Sequence, residues 1–205
     1  MYYGERFNAI THLVGAVLAL AGGIALVVAA SQQGDPWKIT AVGIYAITLV
    51  LLYTFSTLYH SMRGRAKDIL RELDHHGIYL LIAGSYTPFC LVTLRGPWGW
   101  SLFAMVWTLA ILGSLQELWP KNEARVRSVV IYVLMGWAVL IALVPLRRAL
   151  SQTGLAWVGA GGLLYTVGIV FYALDTRMKH AHGIWHLFVL GGSAAQYFAI
   201  LRYVI

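Results

Sequence analysis

Apolar residues along the chain fall into long runs divided by short charged or Gly/Pro-rich breaks, near 10–30, 38–60, 76–94, 98–118, 127–146, 155–174 and 184–204. Each run approaches the ~20 residues that an α-helix needs to cross the hydrocarbon core of a bilayer. The pattern predicts an all-α integral membrane protein, a seven-transmembrane helix bundle forming a single domain over 1–205. Two breaks are slight, Arg95-Gly96-Pro97 and Ser151-Gln152-Thr153-Gly154, and a re-entrant hairpin is the alternative there. The first run follows the mixed-charge pair Glu5-Arg6 and precedes six more, so it reads as a retained helix rather than a signal peptide. Pro88 interrupts the third span and predicts a kink with a freed carbonyl one turn back, which Ser85 or Thr87 could satisfy. Glycines within the spans, among them Gly15, Gly23, Gly161 and Gly192, permit close helix approach.

Composition agrees. With 60% hydrophobic and 11% charged residues, a water-soluble globule is excluded. The net charge of +7 is spread through the loops, which points to lipid headgroups and topology rather than nucleic acid. Ten Lys and Arg lie on the side of the amino terminus (Arg6, Arg63, Arg65, Lys67, Arg71, Lys121, Arg125, Arg127, Arg177, Lys179) and five on the other (Lys38, Arg95, Arg147, Arg148, Arg202). The positive-inside rule then predicts a cytoplasmic amino terminus and, after seven crossings, an external carboxyl terminus. A lone cysteine, Cys90, excludes an intramolecular disulfide framework and a Cys-based zinc finger.

All seven histidines fall at or near the predicted cytoplasmic helix ends. In His182-Gly183-Ile184-Trp185-His186 two imidazoles stand four residues apart, ~40° apart around a helix, so both can reach one metal ion. A carbonyl or headgroup partner for each is the plainer reading. Ser56-Thr57-Leu58-Tyr59-His60 closes the second span with a hydroxyl and an imidazole on one face, and Asp74-His75-His76 opens the third. At that position Asp74 reads equally well as a helix cap or dipole partner. Topology places His60, Asp74, His182 and His186 at one depth. Three histidines with an open fourth position form the ligand set of a catalytic zinc site, and the all-imidazole set favours zinc over copper or iron. A non-haem iron site using Asp74 directly is the alternative.

These residues carry a resemblance. The runs Phe55–Ser61, Leu73–Pro88 and His182–His186, with the opening Glu5-Arg6-Phe7-Asn8-Ala9-Ile10-Thr11-His12, are similar to the bacterial hemolysin III family, a branch of the PAQR (progestin and adipoQ receptor, adiponectin-receptor-like) proteins. The resemblance implies that His60, His182 and His186 bind zinc, that Asp74 holds or activates the water on it, and that Ser56 supports the site. Tyr59, His75 and His12 are candidate supporting neighbours. It also implies a multi-pass protein of the bacterial inner (plasma) membrane, with membrane lipids as environment and substrate. The function expected first is a zinc-dependent lipid amide or ester hydrolase with ceramidase-like chemistry, acting in membrane-lipid homeostasis. A non-enzymatic zinc-stabilised sensor or receptor is the alternative. A pore-forming cytolysin fits poorly with so many apolar spans, and a transporter lacks a midplane charge, because Glu117 lies near a helix end. The long cytoplasmic amino-terminal domain of the receptors is missing here, so hormone binding is not carried over.

Overall fold

The structure is a computed structural model, and it describes residues 1, 4–118 and 124–205. Lys121, counted above for topology, lies outside the described residues, as does the side chain of Arg125. The described chain is helical throughout: α1 (Arg6–Gln33), α2 (Pro36–Ser61), α3 (Arg65–Pro88), α4 (Pro97–Gln116), α5 (Ala124–Trp137), α6 (Leu143–Ala149), α7 (Gln152–Ala173) and α8 (Ala181–Tyr203). Six helical stretches among the described residues are long and apolar enough to span a membrane, the fourth of them being the combined run Val126–Ala149. Their outward faces carry large exposed hydrophobics such as Leu18, Ile47, Ile111, Leu134 and Leu163, as lipid contact requires. The chain is a multi-pass membrane protein.

Local chemistry sets the helix ends. Asp35 caps α2 by accepting from the Trp37 amide at 2.9 Å, with Pro36 in the first turn where its missing N–H costs nothing. Ser151 caps α7 by accepting from the Gly154 amide at 3.1 Å. A 3-10 turn over Ala138–Ala142 joins α5 to α6, one turn ahead of Pro145, which cannot donate back to the carbonyl at 141.

The third helix departs from expectation. The basic segment before residue 76 is not a loop, because α3 begins at Arg65 and runs through Asp74. Arg65-Ala66-Lys67-Asp68-Ile69-Leu70-Arg71-Glu72-Leu73 is rich in residues that lose little freedom in a helix, and Asp68 favours the first turn. Asp74 therefore sits well inside a helix rather than at its amino end, which removes its reading as a cap. Its charged first half also keeps α3 out of the group of purely apolar spans. Beyond Pro88 the chain continues as a π-helical turn, Phe89–Thr93. Thr87 Oγ1 donates to the Ala83 carbonyl at 2.9 Å and Ser85 Oγ to Ile82 at 2.8 Å, so neither serves the Gly84 carbonyl that Pro88 leaves without its donor.

Helices α1, α2 and α3 pack side by side, α8 closes against α1, and α7 lies along α8. Close approach rests on small residues. A Cβ on Gly84 would fall on Thr48 Oγ1, which is tethered to the Tyr45 carbonyl at 2.9 Å. Between α3, α5, α6, α7 and α8 the packing opens into an apolar cavity of about 430 Å³. Gly84→Ala is expected to destabilise the bundle by about 1–3 kcal/mol, as overpacking does. Thermal melting in detergent checks this, with recovery expected when Thr48→Ala is added.

Candidate metal centre

Two helices deliver the three predicted histidines to one point. His60 comes from the last turn of α2, and His182 and His186 from the first turns of α8. One ring nitrogen from each lies within 4.8 Å of the others, so the group can hold a metal ion. His60 and His186 are buried, and His182 is partly so.

The outer nitrogens show which atoms face inward. His60 Nδ1 lies 2.7 Å from Glu5 Oε2, and His182 Nδ1 lies 3.1 Å from Asp175 Oδ2. His186 Nδ1 lies 3.2 Å from both the Asn8 carbonyl and Thr11 Oγ1, whose own proton is directed to the Asn8 and Phe7 carbonyls at 2.8 and 3.0 Å. Each of these partners accepts, so each Nδ1 carries the proton and each Nε2 presents a lone pair. All three Nε2 atoms are buried and find no hydrogen-bond partner. Buried nitrogen lone pairs left bare cost free energy, and three aimed at one another are what a borderline metal ion satisfies. The three-histidine set could hold a metal ion, as the spacing of the histidines led one to expect.

Glu5 is the anchor on the outer side. It receives the His60 bond, a 2.7 Å contact from Lys67 Nζ and a 2.9 Å bond from Asn8 Nδ2. The His60 bond holds its carboxyl well below the usual carboxylate range against the opposing pull of burial, with Lys67 and Asn8 adding to it.

Of the other predicted residues, Asp74 is buried and lies on the wall of the apolar cavity. It also lines a second, polar chamber of about 360 Å³ that His182 shares, together with His75, Glu117 and Asp175. The two spaces share Asp74, Tyr132, Tyr172 and Trp185 in their walls. Ser56 is buried on α2, with its hydroxyl beside the Asp74 carboxyl. Tyr59 lies beside the His60 ring at 4.5 Å between centroids and beneath Lys67 Nζ at 4.9 Å. His12 is not a surface group: it is buried and stacks on His186 with centroids 3.5 Å apart and planes at 14°. His75 turns towards Glu117, at 3.7 Å. His180 adopts φ 65 just before α8 and packs edge-on against Phe7.

Sequence reasoning missed the groups that hold the outer nitrogens. Glu5, Asn8 and Thr11 stood in a quoted motif without a role, whereas Asp175, in the turn before α8, left no local signal. Glu117 was set aside as a helix-end charge, yet it is buried. Tyr79 Oη and Gln116 Nε2 donate to it at 3.3 and 3.1 Å, and Ser128 Oγ donates as well.

The profile of the family described as "Haemolysin-III related" matches residues 2–197. The chain belongs to that family. It is 44% identical to "Hemolysin-3" of Bacillus cereus over 98% of this chain and 92% of that protein. It is 30% identical to "Monocyte to macrophage differentiation factor" of Homo sapiens over 98% of this chain and 85% of that one. At 23% identity it also matches "Adiponectin receptor protein" of Drosophila melanogaster, over 96% of this chain and 50% of the relative. Both parts of the sequence resemblance, to hemolysin III and to adiponectin-receptor-like proteins, are met.

Burial works to raise the Glu117 pKa, but the His75 imidazole and the Ser128 hydroxyl beside it outweigh that and leave the carboxyl below its usual value. A depressed folded-state pKa contributes stability that is present above the ordinary carboxylate value and is lost as pH falls through the depressed one. Glu117→Gln is accordingly expected to melt with less acid sensitivity than the unsubstituted protein below about pH 4.5. Melting curves across that range in detergent check it.

Proposed function

We propose that this haemolysin-III-related protein is a zinc-dependent hydrolase of a membrane-lipid amide or ester, built on seven crossings of the bacterial inner membrane with its amino terminus in the cytoplasm. The observation that carries the reading is that an apolar cavity and a polar chamber share Asp74 in their walls, and that His182, one of the three histidines with a bare Nε2, lines the chamber. An amphiphile laid across the two has its acyl chain in the cavity, its polar part in the chamber, and its linkage next to Asp74. An all-imidazole set with one side open suits catalytic zinc. Bound there, zinc polarises a carbonyl and makes water more acidic.

The chain supplies the rest. Asp74 takes the proton from the attacking water and returns it to the leaving group, a task suited to a buried carboxylate that reaches both spaces. The buried Ser56 hydroxyl, beside the Asp74 carboxyl, supports the site by orienting it. Tyr132, Tyr172 and Trp185 shape the neck between chain and headgroup. Glu5 and Asp175 keep the histidines in the tautomer that leaves Nε2 free.

The seventh crossing is α3 with its π-helical continuation, which from His76 to Thr93 carries no Asp, Glu, Lys or Arg. Cysteine labelling tests it, because Cys90 is buried. In intact cells a membrane-impermeant maleimide is expected to modify Trp98→Cys but to reach Met62→Cys only after permeabilisation. Labelling of both from outside overturns the crossing, and the reverse pattern overturns the orientation.

The activity test compares the zinc-loaded protein with the His60→Ala/His182→Ala/His186→Ala variant on membrane-lipid extracts analysed by mass spectrometry. Loss of metal and of a lipid product in the variant is expected, whereas His180→Ala keeps both. Asp74→Asn is expected to keep the metal and lose turnover; hydrolysis retained by Asp74→Asn removes it as the base. Stoichiometric zinc with no turnover in the unsubstituted protein favours a structural metal in a sensor.

A further inference from the structure

The opening motif Glu5-Arg6-Phe7-Asn8-Ala9-Ile10-Thr11-His12 supplies none of the three inward nitrogens, yet four of its residues touch the histidines that do. Glu5 accepts from His60 Nδ1 at 2.7 Å, the Asn8 carbonyl and Thr11 Oγ1 face His186 Nδ1 at 3.2 Å, and His12 covers the face of the His186 ring at 3.5 Å. A fifth, Phe7, lies where a Cβ on Gly183 would fall, and Asn8 Oδ1 would be 2.9 Å from that Cβ. Gly183, between the two α8 histidines, is thus the opening through which the start of α1 reaches the site. The segment is pinned from its far side by Lys67 of α3, at 2.7 Å from Glu5 Oε1.

We propose that residues 5–12 are the outer clamp of the metal centre, and that Glu5 is its chief positioning residue. The clamp fixes the ring orientation and tautomer of His60 and His186, so that metal affinity depends on the first turns of α1 being docked. The inference rests on the metal-binding part of the reading above, not on the hydrolase part.

A hydrogen-bonded acceptor on the outer nitrogen of a metal-binding histidine stops the ring from rotating and makes its other nitrogen a stronger donor. A carboxylate does so more strongly than a neutral group, because its bond is charge-assisted. Glu5 is therefore worth more to the site than the Asn8 carbonyl. The linkage is reciprocal: an ion that favours the ordered histidines also favours the docked start of α1.

The test uses the full-length protein in detergent, with zinc affinity measured by competition against a chromophoric chelator and site geometry read from the visible absorption of bound Co²⁺. Glu5→Gln keeps the shape and an acceptor but loses the charge, and is expected to weaken zinc binding roughly 10-fold; Glu5→Leu, lacking any acceptor, is expected to weaken it up to about 100-fold. Gly183→Ala, which forces Phe7 and Asn8 away, is expected to weaken zinc binding and change the Co²⁺ spectrum while leaving every histidine in place. Arg6→Ala is the control, since Arg6 is exposed on the same segment, and its affinity is expected to match the unsubstituted protein. Metal-free Glu5→Gln is expected to melt below Arg6→Ala, since it loses the charge that Lys67 meets. Affinity of Glu5→Gln and Gly183→Ala within twofold of the unsubstituted protein overturns the clamp, as does an equal loss in Arg6→Ala. An unsubstituted protein that binds neither Zn²⁺ nor Co²⁺ overturns the metal reading itself.

Discussion

A buried nitrogen lone pair must be satisfied. In water an unpaired imidazole nitrogen finds a solvent partner at no cost, but the same atom inside a helix bundle loses that partner and keeps the penalty of desolvation. Three such atoms, the Nε2 groups of His60, His182 and His186, are buried and face one another here. Much of the surrounding structure serves to keep them that way. Glu5, Asp175 and the Asn8 carbonyl occupy the outer nitrogens, so rotation of any ring to satisfy its bare side would break an existing bond. His12 stacks on His186 and Tyr53 closes edge-on against His12, which leaves little space for the rings to turn.

The need to bring those atoms together explains where the bundle is tight and where it is open. Where α1, α2, α3 and α8 meet, glycines sit at the contacts: Gly15 against Tyr53, Gly84 against Thr48, and Gly183 against Phe7; Gly113 against Tyr79 and Gly192 against Tyr165 do the same for α4 and α7. The hydroxyls of Tyr53 and Tyr165 converge on Ser193 at 2.8 and 2.9 Å, which binds α2 and α7 to α8 deeper in the membrane-spanning region. On the other side, α5 and α6 stand away from α8 and leave the apolar cavity. Its interruption at Ala138–Ala142 is steadied by Tyr86, whose hydroxyl donates to the Gly136 carbonyl at 2.8 Å and accepts from the Val139 amide at 2.9 Å. One half of the molecule is thus built for rigidity around the histidines and the other for volume beside them.

Much of this was legible in the sequence, and for physical reasons. Continuous apolar runs of bilayer length have few alternatives to helices, because every backbone polar group must be satisfied within its own segment. A pair of histidines one turn apart projects from one helix face whatever the tertiary fold does, so His182 and His186 could be paired on spacing alone. The start of α3 was not legible in the same way. Charged residues before a span read as a loop when hydropathy is the only guide, although their helix propensity carries α3 back to Arg65. Glu117 escaped for a related reason: a charge at a helix end is ordinarily solvated, and only the arrival of Tyr79, His75 and Ser128 from other helices buries it.

The sequence by itself determined a helical membrane protein, its family resemblance, and which imidazoles could share an ion, because these follow from local periodicity, length and spacing. Only the tertiary structure decided which nitrogen of each ring faces inward and which residues hold the other. It also decided that His12 is buried and that Asp74 stands in the wall of both an apolar cavity and a polar chamber. Those facts depend on contacts between residues as far apart as Glu5 and His60 or Asn8 and His186. No local propensity encodes them, because they are set by how whole helices pack.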